Sequence, residues 1–207
     1  MKNIIMLIFV FLLLFSSGCD TTPDETGVDQ QPPSEEEVAE GPLMGRVTEP
    51  VAIDGSSAGY PSAPIEAAGL TVYLAHDGET LFAYAEGESE GWLAIGFNSA
   101  GGGMNGANII IGSVDGAEPI FRDDFGSGRS HSEAEVGAVE DFFFSYDSGR
   151  AIMEFSYPLA FPEGQGYNVE SLVPGETYSL IVALHGSSDD FARQHSTRGS
   201  INFTVEQ

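Results

Sequence analysis

Basic residues are scarce in this chain: seven Lys and Arg stand against 32 Asp and Glu, for a formal charge of −25 over 207 residues. A field of that sign repels phosphate backbones and anionic headgroups, which excludes nucleic-acid binding. Lys2 is the only lysine, and the other six cations are arginines. Cysteine is almost missing, and the single Cys19 excludes an internal disulfide framework and any thiolate-rich zinc or iron–sulfur site. There is no Gly-x-Ser-x-Gly, no Walker loop, no dinucleotide fingerprint and no His-Glu-x-x-His, so hydrolase and nucleotide-binding classes have no local support and no enzyme is expected. After the first 19 residues no apolar run is long and periodic enough to predict an amphipathic helix. What is present is 42% hydrophobic residues, with 14 Phe and 7 Tyr, enough to build one core.

Residues 1–19 start with Met1-Lys2, run through an apolar stretch from Ile4 to Phe15 and end in Ser16-Ser17-Gly18-Cys19. That is the plan of a signal peptide, and the stretch is short of the ~20 residues a helix needs to span a bilayer. The Ser-Ser-Gly-Cys ending resembles a bacterial lipobox, which implies lipidation at Cys19, a membrane anchor and a place in the cell envelope on the extracytoplasmic face. Ser16 departs from the usual Leu of that pattern. Residues 20–43 then hold eight acids, four prolines and no aromatic residue. This composition cannot bury enough apolar surface to offset chain entropy and predicts a disordered acidic tether.

From residue 44 to 207 the pattern changes to short apolar runs divided by Gly, Asp and Pro, which predicts an all-β domain. Ten strands are expected: 43–51, 70–76, 81–86, 92–98, 107–114, 119–123, 141–146, 151–158, 177–185 and 200–205. Asp77-Gly78, Asp115-Gly116 and Ser148-Gly149 supply turn chemistry between neighbours. The class this implies is an antiparallel β-sandwich with an immunoglobulin-like arrangement. In Trp92-Leu93-Ala94-Ile95-Gly96-Phe97 every position is apolar or small, so the strand is central and covered on both faces. Trp92, Ala94 and Gly96 share one face, which leaves room for facing side chains or for a ligand.

Two segments carry possible chemistry. Gly101-Gly102-Gly103-Met104 sets a soft thioether at the end of a flexible loop. Near the C-terminus His185 closes one predicted strand and His195 precedes the last. The acidic pairs Asp123-Asp124 and Asp189-Asp190 could offer oxygen ligands to Ca²⁺, although paired surface acids are ordinarily just solvated.

Gly91-Trp92-Leu93-Ala94-Ile95-Gly96-Phe97, then Gly103-Met104-Asn105-Gly106, then His195-Ser196-Thr197-Arg198-Gly199 together resemble the DOMON family, over roughly residues 60–205. The resemblance implies a sandwich whose inner sheet holds either haem b or a sugar. In the haem-binding branch the iron is held by one Met and one His, which fall on Met104 and on His195, with His185 as the alternative. Trp92 would flank the pocket, and Arg198 would meet a propionate or else pair with Asp189 or Asp190. A thioether opposite an imidazole gives low-spin iron with both axial positions filled, suited to electron transfer with a redox partner protein. The competing expectations are a lipoprotein that binds a carbohydrate or another small ligand, with Trp92 as a stacking platform, and a structural surface domain without cofactor.

Overall fold

The period-2 alternation of Leu70, Val72 and Leu74 with Thr71 and Tyr73 turns one side of a strand inward, and the same alternation recurs along the chain. The structure, a computed structural model, describes residues 41–161 and 170–207. Its described residues form twelve strands and no helix: β1 Leu43–Arg46, β2 Ile65–Ala67, β3 Leu70–His76, β4 Thr80–Glu88, β5 Leu93–Ser99, β6 Asn108–Asp115, β7 Glu118–Ser127, β8 Ser130–Glu133, β9 Phe142–Asp147, β10 Arg150–Pro158, β11 Thr177–Leu184 and β12 Thr197–Val205. The all-β sandwich expected from the sequence is therefore the observed fold. The leader, Cys19 and most of the tether lie outside the described residues. The first strand opens at Leu43, one residue inside the span assigned to the tether.

The strands run in the order β8-β7-β6-β5-β11-β12-β1-β3-β4-β10-β9, with β2 also on β3. The path folds at β1. Leu43 and Met44 pair in parallel with Thr204 and Val205 of β12, whereas Gly45 and Arg46 pair in parallel with Ala75 and His76 of β3. One short strand thus joins a first sheet, β8 to β12, to a second sheet, β3 to β9. Leu93, Ile95 and Phe97 of β5 and Leu180 and Val182 of β11 share one buried core with Leu70 and Val72 of β3 and Met153 and Phe155 of β10. At the other edge Phe121 of β7 meets Phe142 of β9, ring centroids 4.8 Å apart. The β9–β10 turn has positive φ at both Ser148 (53°) and Gly149 (84°), the hairpin geometry its sequence predicts.

The outer face of the second sheet is covered by the chain after β1. The buried carboxylate of Glu154 accepts the N–H groups of Asp54 and Gly55 and the Tyr60 hydroxyl, at 2.9, 2.7 and 3.0 Å. Burial raises the Glu154 pKa above the usual carboxylate range, and these donors oppose the rise. They hold the segment down across the sheet.

Neighbouring residues on β7 face opposite ways. Asp123 points into the core, where it accepts the Ala138 N–H at 2.7 Å and the Tyr157 hydroxyl at 3.4 Å, and Asp124 points to the outer face. The pair cannot share a cation, which corrects the Ca²⁺ expectation for it. Among the described residues no cluster of three metal-ligating side chains forms at Asp189-Asp190 either. Burial pushes the Asp123 pKa up to about 6 from 3.8. A folded-state value above the unfolded one means the native state binds the proton more tightly, so stability falls as pH rises through that window. Asp123→Asn is expected to stabilise the protein at pH 7 by on the order of 2 kcal/mol and to lose that effect at about pH 4, measured by chemical denaturation at both values.

Candidate functional site: the outer face of the first sheet

Cross-strand register sets one row of side chains across five strands: Arg198, Ala183, Ala94, Ile111 and Arg122, from β12, β11, β5, β6 and β7. Residues directly opposite in a sheet point to the same side. Because Ala94 and Ile111 alternate with the core residues Leu93, Ile95 and Ile110, this row lies on the outer face. The next row is Ser200, Ile181, Gly96, Ile109 and Asp124. Both rows are apolar in the middle and polar at the ends. Trp92, Ala94, Ala107, Ile109 and Ile111 form a buried cluster separate from the core, with Met104, Ile181, Ala183 and Phe191 half-buried against it. Gly96 keeps the middle low: a Cβ there would stand 2.9 Å from the Asn108 carbonyl and 3.2 Å from Ile109.

Met104 is held by its backbone. Asn98, at the end of β5, donates its side-chain amide to the carbonyls of Gly103 and Asn105, at 2.5 and 2.9 Å. The Ala107 N–H closes a turn onto the Met104 carbonyl at 3.0 Å, and Gly106 N–H bonds the carbonyl of Gly126 at 2.8 Å. The glycine-rich loop is therefore anchored, with the thioether at the β6–β7 side of the apolar face. Sequence reasoning missed Asn98, whose signal is an amide side chain ending an apolar strand just before the loop.

The two candidate histidines have different surroundings. His185 accepts the N–H groups of Ser187 and Ser188 at its Nδ1, at 3.2 and 3.0 Å. The neutral ring then carries its proton on Nε2 and has no free lone pair, whereas a ligating histidine donates through its second nitrogen. His185 is a turn cap, and its ring lies 6.2 Å from that of Trp92. His195 is half-buried, with Nε2 3.4 Å from an Arg198 guanidinium nitrogen. Arginine only donates, so Nε2 is the acceptor and the proton sits on Nδ1, the tautomer a metal ligand needs. His185→Ala is accordingly expected to cost about 1 kcal/mol of stability, seen in thermal unfolding, and to leave ligand binding on this face unchanged.

Trp92 is 4% exposed, and among the described residues its indole N–H has no hydrogen-bond partner. An unpaired buried donor costs about 1–3 kcal/mol, and native folds carry few. The burial also corrects the expectation of Trp92 as an open stacking platform. Arg198 is exposed and pairs with no carboxylate among the described residues; Arg193 makes the contact with Asp190, at 3.7 Å. Sequence reasoning also missed a cluster at the β7 end of the rows. Asp124, fully buried, takes a bidentate contact from Arg122 at 2.5 and 2.6 Å and a second contact from His131 Nδ1. Burial raises the Asp124 pKa, but the His131 and Arg122 hydrogen bonds more than offset it and hold the carboxyl below its ordinary value. The Arg122 guanidinium lies over the Phe191 ring, 5.7 Å from its centroid.

The described residues thus form an all-β sandwich whose first sheet carries an apolar outer face, with Met104 half-buried against it and Arg198 and Arg122 at the two ends of a cross-strand row. The chain belongs to the DOMON family, whose DOMON domain matches residues 70–185. The matched span contains Trp92, Met104 and His185 and stops before His195 and Arg198. Similar solved structures include the cytochrome b domain of pyranose dehydrogenase from Coprinopsis cinerea, at 14% identity, 65% of this chain, 74% of that one and a TM-score of 0.45. The cytochrome domain of Myriococcum thermophilum cellobiose dehydrogenase is 16% identical over 66% of this chain and 74% of that one, with a TM-score of 0.49. A family 9 carbohydrate-binding module from Caldicellulosiruptor kristjanssonii, in complex with cellotriose, is 10% identical over 80% and 93%, with a TM-score of 0.46. No curated protein matches the chain.

Proposed function

We propose that this protein is a one-electron carrier, tethered through Cys19 at the extracytoplasmic face of a bacterial membrane, with haem b on the outer face of its first sheet. The observation that carries the proposal is the apolar face with a half-buried thioether, Met104, packed against it, together with the His195 tautomer, whose lone pair sits on Nε2, where one exposed arginine, Arg198, now meets it. Membership of the DOMON family supports it. The unpaired Trp92 N–H and the low, small-residue middle of the face suit a flat apolar group with polar edges.

Bound there, the group supplies a reversible ferric–ferrous couple, raised in potential by a thioether ligand. Met104 Sδ and His195 Nε2 would hold the iron, and Asn98 and the Gly126 backbone fix the methionine's loop. Phe191 now rests on the face, so seating a macrocycle requires its ring to move aside. The same exposed segment, residues 186–196, carries His195, so one displacement moves both. The strongly acidic surface steers a redox partner with a basic docking face. A sugar-binding role has less behind it, because the only indole of the chain is buried.

The test is the visible spectrum of the full chain expressed with haem available. The expected result is a low-spin spectrum that sharpens on reduction. A colourless protein whose spectrum with added hemin equals that of free hemin would overturn the proposal.

A further inference from the structure

The orphaned donor on this face points to the chemistry of what binds. Trp92 is the one tryptophan of the chain, it is more than nine-tenths buried, and among the described residues its Nε1 bonds to nothing. Indole N–H is a donor only, so the atom that completes it must be an acceptor. The apolar neighbours Ala94, Ile109 and Ile111 offer no side-chain acceptor, and His185, the nearest ring, spends Nδ1 on two backbone N–H groups. Among the described residues nothing completes this donor, and a bound ligand's acceptor would. Charge gives its type. In a protein of formal charge −25, two of the seven cations, Arg122 and Arg198, close the two ends of the cross-strand row that runs over this face. Arg122 is already neutralised by Asp124, and Arg198 is not neutralised by any carboxylate among the described residues.

We propose that the ligand of this face is an amphipathic carboxylate whose acid group takes the Trp92 indole N–H, so that Trp92 discriminates the free acid from its neutral ester. The proposal rests on the haem reading, in which the acid group is a propionate, and adds a specificity residue to it. Met104 and His195 would hold the iron, Trp92 would receive the acid group, and Arg198, the row-end cation that no carboxylate among the described residues neutralises, would add favourable charge on the same face. Trp92 acts by binding, not by donating an electron or ligating iron.

The test compares iron protoporphyrin IX with its dimethyl ester, titrated into the full chain and into Trp92→Phe, which keeps the aromatic bulk and removes the donor. The wild type is expected to bind the free acid at least about tenfold more tightly than the ester. Trp92→Phe is expected to lose most of that preference, its affinity for the acid falling several-fold more than its affinity for the ester. Should Trp92→Phe not fold, the single indole N–H resonance of the wild type reads the same contact in the diamagnetic ferrous state: it shifts further downfield with the acid, a charged acceptor, than with the ester, a neutral one. Equal binding of the two porphyrins, or a preference that survives in Trp92→Phe, overturns this inference and leaves the haem proposal standing. Failure of either porphyrin to bind overturns both.

Discussion

Met104→Ala is expected to abolish the low-spin spectrum of the haem-loaded protein and leave a high-spin, five-coordinate form with at least about tenfold weaker affinity and a lower reduction potential. The reason is local. A methyl group cannot reach iron, and among the described residues packed on the apolar cluster Met104 alone carries a sulfur. His195→Ala should remove the other axial ligand with a similar loss, whereas His185→Ala should retain the low-spin spectrum, because its Nδ1 is committed to the Ser187 and Ser188 N–H groups. Absorption and electron paramagnetic resonance of the three variants separate these outcomes. A Met104→Ala protein with an unchanged spectrum would remove the thioether from the site.

Gly126→Ala should be the most damaging small substitution near the site. A Cβ at that position would stand 1.7 Å from the Met104 carbonyl oxygen and 2.8 Å from its carbon, and these are backbone atoms that no rotamer change can clear. The two segments are also stitched together there, by Gly106 N–H to the Gly126 carbonyl at 2.8 Å and Gly126 N–H to the Ala107 carbonyl at 2.9 Å. Relief of the clash must break one of these bonds or push the Met104 turn away from β7. The expected cost is about 2–4 kcal/mol in chemical denaturation, together with a loss of hemin affinity that tracks the displaced thioether. Gly128→Ala is the control: its Cβ would meet nothing within 4 Å, so only the strain of a positive φ, 64°, should appear, about 1 kcal/mol. A Gly126→Ala protein as stable as wild type would show that the close approach does not hold Met104 in place.

Much of the fold is legible along the chain because it follows from local chemistry. The strand expected at 70–76 is β3, and the other nine expected strands each overlap an observed one. The departures have physical causes. β2, Ile65–Ala67, is three residues long, and β8, Ser130–Glu133, carries no apolar residue, so neither shows the alternation that marks a strand. β1 reads as one strand to residue 51 but ends at Arg46, since its halves pair with different sheets and the following segment leaves to cover Glu154. Trp92 and Met104 were visible as candidates, but the roles of the histidines were not, because a tautomer is set by hydrogen bonds made in space and no spacing reports them.

Composition and pattern alone determined an acidic, single-cysteine chain carrying an all-β domain, with a glycine-rich loop that ends in methionine: period-2 burial and turn chemistry act over a few residues. The tertiary structure alone decided that Arg198 and Arg122, far apart in the chain, close one row over an apolar face, that Asp123 and Asp124 part to opposite sides, and that His185 caps a turn through Nδ1 while His195 turns its Nε2 lone pair toward Arg198. These depend on strand register and order, and register is a sum of long-range pairings that no short stretch of sequence contains.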